Sequence, residues 1–81
     1  MSVDPTVMER VRELFRGRLN APALELDRPL LEYGLDSVRS AELVIELEQL
    51  FGIDIPDADA AALRTTRQVA EYVAVELRKA S

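Results

Sequence analysis

Gly34-Leu35-Asp36-Ser37 is followed without a break by Val38-Arg39-Ser40-Ala41-Glu42-Leu43-Val44-Ile45-Glu46-Leu47-Glu48-Gln49-Leu50-Phe51-Gly52, and this stretch decides how the chain folds. Asp36 is suited to cap a helix by accepting from the free amides of its first turn. Gly52 is a natural C-terminal stop. Together they predict a helix over 37–51. At about 100° per residue, Ser40, Leu43, Val44, Leu47, Leu50 and Phe51 share one broad face, the core side. Val38, Ala41 and Ile45 fall nearly opposite, bordered by Glu42, Glu48 and Gln49. A helix that only packs on a core does not need this second apolar stripe. Ser37 takes the first helical position, where backbone donors and the helix dipole favour an anion such as a phosphate ester.

Working outward, Asp4 with Pro5 behind it opens a first helix, whose apolar face is Val7, Met8, Val11, Leu14 and Phe15. Gly17 and Asn20-Ala21-Pro22 are expected to end it. A long connection over 20–36 follows. Its Leu24, Leu26, Leu30, Leu31, Tyr33 and Leu35 are expected on the core, Pro29 stiffens it, and Gly34 supplies a turn open to positive φ. After Ile53-Asp54-Ile55-Pro56, read as extended, Asp57 is expected to cap a brief helix over 58–63. Its alanines at 58, 60, 61 and 62 are read as close packing and helix propensity, or as room for a tethered chain. Thr65 or Thr66 caps a last helix with Val69, Val73 and Leu77 on one face and Arg78 and Lys79 at its negative end. The fold class is all-α: a small four-helix bundle of three longer helices and one short, with a long loop between the first two. The 81 residues form a single domain, 1–81.

Composition removes whole classes of function. The chain has no cysteine and no histidine, so disulfides, thiolate metal sites and the imidazole-dependent hydrolase constellations are absent. Asp54, Asp57 and Asp59 lack the glycine and terminal glutamate of a calcium loop, so no metal site is expected. The net charge of −5 hides an acidic middle: between Asn20 and Leu63, ten acids face two bases. That field repels nucleic acid and steers basic protein surfaces into encounter. The N-terminus is not a signal peptide, and runs such as Leu43-Val44-Ile45 are too short to span a bilayer, so a cytoplasmic monomer without membrane contact is expected.

The run Leu31-Glu32-Tyr33-Gly34-Leu35-Asp36-Ser37-Val38 closely resembles the phosphopantetheine attachment site of acyl and peptidyl carrier proteins. The Glu-Leu-Val-Ile-Glu-Leu-Glu run from Glu42, Phe51-Gly52, Ile55-Pro56-Asp57 and the Thr-Thr-Arg-Gln-Val-Ala-Glu-Tyr-Val run from Thr65 follow in family order, so the resemblance covers nearly the whole chain. It implies an acyl-carrier-like fold and a covalent 4'-phosphopantetheine arm, taken from coenzyme A and esterified to Ser37, whose thiol holds acyl or aminoacyl groups as thioesters. Gly34 and Leu35 belong to the attachment motif. By the same resemblance Asp36 helps the magnesium-dependent phosphopantetheinyl transferase, and the second helix is the main partner-recognition element, with Val38, Arg39, Ala41, Glu42, Ile45, Glu48 and Gln49 as its contact positions. The implied partners are that transferase, a loading enzyme (ligase, adenylation enzyme or acyltransferase) and downstream synthase or transferase domains. A carrier performs no chemistry of its own.

Val38 and Arg39 depart from the commonest fatty-acid carrier pattern, and the short helix carries fewer acids. These departures favour a polyketide, nonribosomal peptide or hybrid pathway over housekeeping fatty-acid synthesis. A housekeeping fatty-acid-synthesis carrier and a helical interaction module that never carries an arm are the alternatives. The chain opens with Met and stops just past the last helix, the layout of a free-standing carrier and equally of an excised domain. Reversing Glu42 and Glu48 to Lys is expected to weaken partner encounters and leave the fold intact.

Overall fold

A computed structural model describes residues 4–80. Four helices follow in order: α1 Pro5–Arg18, α2 Ser37–Phe51, α3 Asp57–Ala62 and α4 Thr66–Ala80. Two expectations about their ends need correction. Gly17 lies inside α1; the stop is Asn20, at φ 52°, whose N–H donates to the Gly17 carbonyl while the Ala21 N–H reaches back to Arg16. This pair of bonds is a Schellman ending, with Asn in the left-handed position that Gly more often fills. Asp57 is the first residue of α3 rather than its cap; Pro56 precedes it and gives no side-chain bond. Of the two threonines before α4, Thr65 is the cap. Its Oγ1 accepts from Gln68 N–H at 3.1 Å, and Gln68 Oε1 accepts from Thr65 N–H at 3.2 Å, a reciprocal capping box.

The core gathers Val7, Val11 and Phe15 of α1, Leu43 and Leu47 of α2, and Val69, Ala70 and Val73 of α4, with Leu19, Leu24, Leu30, Ile53 and Ile55 from the connections. α1 packs most closely along α4. Met8, Leu14, Val44, Phe51 and Leu77 are half-buried at its margin. Leu50, assigned to the core face, is 41% exposed. It sits at the edge of the stripe in the last turn of α2. Leu43, on the same edge two turns earlier, is covered where Arg18 and Leu19 end α1.

The 20–36 connection is ordered, and it contains a 3-10 turn, Leu30–Tyr33, that helix periodicity did not reveal. Leu30 N–H donates to Arg64 O, and Arg67 N–H to Leu26 O, stitching the loop to the α3–α4 junction. Asp27 accepts from Arg67 Nε and Nη2 at 2.6 and 3.2 Å, which lowers the Asp27 carboxyl below the usual range. Tyr33 Oη accepts from Glu25 N–H, and Arg28 lies 5.8 Å from its ring. Leu24 and Leu30 are buried as expected, but Leu31 is 78% exposed. In a single tight turn only one of two adjacent leucines can face inward, and Leu30 takes that place.

Candidate functional site

Gly34 closes the 3-10 turn in the left-handed region at φ 85° and redirects the chain into α2. Any other L residue there would be strained. Asp36 follows as the cap: its Oδ1 accepts from Arg39 N–H at 2.8 Å while its carbonyl accepts from Ser40 N–H. Ser37 then stands exposed at the first position of α2, and its hydroxyl makes no hydrogen bond among the described residues. The amides of Ser37 and Val38 have no acceptor within the helix, as at every helix start. An anion attached to the Ser37 oxygen meets unsatisfied donors and the positive end of a 15-residue helix.

Losing this cap has a defined effect. Asp36→Ala should lower stability by about 1 kcal/mol, roughly 4–8 °C in thermal midpoint. Asp36→Asn keeps the acceptor and should keep the midpoint, so any loss of modification in that variant reports the charge alone. Equal midpoints for the Ala variant and wild type would show that the cap contributes nothing.

Ser37 opens onto a groove of about 560 Å³ between α2 and α3. Ser40, Ala41, Val44, Ile45 and Glu48 line it from α2, and Ile55, Asp57, Ala60, Ala61 and Leu63 from the other side. Beneath it lies an apolar cavity of about 40 Å³ that shares Ser40, Val44, Ile55, Ala60 and Leu63 and reaches Phe15, Leu47 and Val69. Of the four alanines, only Ala60 is partly buried; Ala58, Ala61 and Ala62 are exposed, so close packing accounts for one of them.

The expected contact positions divide. Ala41, Ile45 and Glu48 share the groove with Ser37. Val38 and Ile45 are 68% and 53% exposed, and Gln49 is exposed beside them. Arg39 turns to the other flank, where its guanidinium donates to the Arg18 carbonyl at 3.4 Å, at the negative end of α1. Glu42 lies on that flank too, in a 200 Å³ depression beside Glu46, which pairs with Arg18 at 2.8 Å. Glu48 Oε2 accepts from Ile55 N–H at 2.9 Å and so pins the α2–α3 connection. Its reversal to Lys would therefore disturb the fold, contrary to the expectation from sequence.

The acidic middle is also quieter than its charge count suggests. Glu25 and Glu32 pair with Arg28, Asp27 with Arg67 and Glu46 with Arg18, while Asp36, Glu48 and Asp59 accept hydrogen bonds, leaving the side chains of Glu42, Asp54 and Asp57 without an ion pair or hydrogen bond among the described residues. Sequence reasoning missed two further features. Leu31, in the 3-10 turn that leads to Ser37, is an exposed apolar side chain. Tyr72 on α4 donates its hydroxyl to Asp59 Oδ2 on α3 at 2.7 Å. No local spacing signals a pair 13 residues apart on different helices.

The described residues thus form a four-helix fold with an exposed serine at a helix start, opening onto an interhelical groove. Residues 9–73 match the phosphopantetheine attachment site family. The chain is 40% identical over 70 residues to an acyl carrier protein of Campylobacter hominis, covering 83% of this chain and 89% of that one. It is 42% identical over 43 residues to an acyl carrier protein of Syntrophobacter fumaroxidans, about half of each chain. It also matches the 5-methyl-1-naphthoate synthase of Streptomyces sahachiroi, at 37% identity over 54 residues, which are 3% of that protein. The solution structure of the acetyl actinorhodin acyl carrier protein from Streptomyces coelicolor superposes with a TM-score of 0.72 at 22% identity, over 91% of this chain and 93% of that one, and shows the same fold.

The chain belongs to the acyl carrier protein family. Membership implies a covalently attached phosphopantetheine group. The residues present fit such a group: a hydroxyl free of hydrogen bonds, open amides and a dipole for its phosphate, and a groove leading away. No described helix is long and apolar enough to cross a membrane.

Proposed function

We propose that Ser37 is the attachment point and that the chain is a carrier serving a polyketide or nonribosomal peptide pathway. The observation that carries the first part is the Ser37 hydroxyl, exposed and unbonded at the mouth of the α2–α3 groove. When bound, the group supplies a thiol that holds an acyl or aminoacyl cargo as a thioester. The chain's own residues do the rest. Asp36 fixes the helix start, Ser37 would provide the ester oxygen, and the free Ser37 and Val38 amides would favour the phosphate charge. Ala41, Val44, Ala60 and Leu63 offer apolar surface along which the cargo can lie. No side chain here is a plausible base for bond changes, so these fall to partner enzymes. The arm keeps its cargo at high effective concentration near each partner in turn.

The pathway assignment is supported by the local match to a 5-methyl-1-naphthoate synthase and by Val38 and Arg39, which depart from the fatty-acid carrier pattern. A cytoplasmic monomer that meets a phosphopantetheinyl transferase, a loading enzyme and downstream synthase domains completes the reading. Incubation with coenzyme A and a broad-specificity transferase should add the mass of one arm. An unchanged intact mass would reject the carrier role.

Partner docking is assigned to the exposed stripe of Val38 and Ile45, with Leu31 in the 3-10 turn as an added apolar contact. Ile45→Asp should cut partner turnover about tenfold, the loss expected for one apolar anchor. Its thermal midpoint should stay near that of wild type, because Ile45 is half exposed. A collapse in stability with turnover preserved would remove Ile45 from the docking face.

A further inference from the structure

We propose that the hydrogen bond from Tyr72 to Asp59 is the catch that limits how far α3 swings from α2, and so determines the length of carbon chain the interior admits. This specificity role rests on the carrier reading above. The 40 Å³ cavity is far short of the ~150 Å³ that accommodates a benzene-sized guest. An alkyl chain can therefore enter only if its walls move. Ala60 and Leu63 are the wall that can yield, since they line both the groove and the cavity. Phe15, Leu47 and Val69 behind them are buried on the long helices.

α3 has little else to hold it. None of its six residues is buried, and the Asp59–Tyr72 contact is the one side-chain hydrogen bond it makes among the described residues. Its entry is tied by the Glu48–Ile55 bond and its exit by Arg64, whose carbonyl accepts from Leu30 N–H and whose N–H donates to Gln68 Oε1, so the short helix between them is left to roll outward about the line joining its ends. On the helical wheel Asp59 faces α4, while Asp57 and Ala61 face the groove. With the catch closed, a short or polar cargo stays in the groove; with it open, a longer alkyl chain reaches Leu47 and Val69. The bond to Asp59, helped by burial, pushes the Tyr72 hydroxyl up to about 12, so it remains a donor below strongly alkaline pH.

The test uses the full chain with Tyr72→Phe, Asp59→Ala and the double variant. In the unmodified proteins, hydrogen exchange at the Ala60 and Leu63 amides should be about fivefold faster in each single variant, the fold-change for one modest net hydrogen bond. The double variant should be no faster than the faster single one. Each protein is then loaded from octanoyl- or acetyl-coenzyme A by a broad-specificity transferase, with loading followed by intact mass. Octanoyl loading should shift the Leu47 and Val69 methyl resonances more in Tyr72→Phe than in wild type, and acetyl loading should shift neither. Unchanged exchange in both single variants, additive effects in the double, or identical octanoyl shifts in wild type and variant would each overturn the catch while leaving the carrier role standing. Failure of every protein to gain the arm's mass would overturn the carrier reading, and the chain-length role with it.

Discussion

Ser37→Ala is expected to gain no mass on incubation with coenzyme A and a transferase, and to lose all pathway output, while folding like wild type. The loss is complete because the hydroxyl oxygen is the ester atom and no neighbour can replace it. Ser40, the other serine near the helix start, is half-buried a turn further on, and its amide already donates to the Asp36 carbonyl. Folding is spared because the Ser37 hydroxyl is exposed and makes no hydrogen bond among the described residues. Alanine is also the better helix former, so the midpoint should stay level or rise slightly. Arm mass on the variant would move the attachment site elsewhere. Normal pathway output would instead favour an interaction module that works without an arm.

Phe15→Ala has the largest expected effect on stability. Phe15 is 2% exposed, and it joins α1 to the layer of Leu43, Leu47 and Val69 beneath the groove. Truncation should cost about 3–5 kcal/mol in lost transfer energy and cavity formation. In a domain of this size that lowers the thermal midpoint by roughly 12–40 °C, and in a marginal case leaves the chain unfolded at 37 °C. Phe15→Leu keeps most of the volume and should lose less than half as much. A midpoint within about 5 °C of wild type for the alanine variant would mean that the core is not organised around this ring.

The helices were legible because their signals are local. Asp4-Pro5, Asp36 and the Thr65-Thr66 pair mark the starts, Gly52 marks an end, and the apolar spacing in α1, α2 and α4 matches the buried faces. A hydroxyl next to a cap is a weak signal by itself; Ser37 stood out because the surrounding motifs follow the order of a known family. Errors arose wherever a residue's environment depends on another element. Leu30 and Leu31 are equivalent in sequence, yet one is buried and the other open. Leu43 and Leu50 share an edge of the same helix, and only the crossing of α1 separates them. Glu48 looked like part of a charged rim; the backbone of Ile55 makes it a fold contact.

The sequence by itself determined four helices with Ser37 at the start of α2, because caps, stops and helical periodicity act within a few residues; the carrier reading came from the resemblance of its motifs to a known family. Only the tertiary structure decided which acids remain unpaired, that the serine opens onto a groove, and that α3 is tied by Tyr72 and Asp59. Those properties arise from contacts between segments distant along the chain, such as Arg18 with Glu46 and Asp27 with Arg67, whose pairing no local pattern encodes.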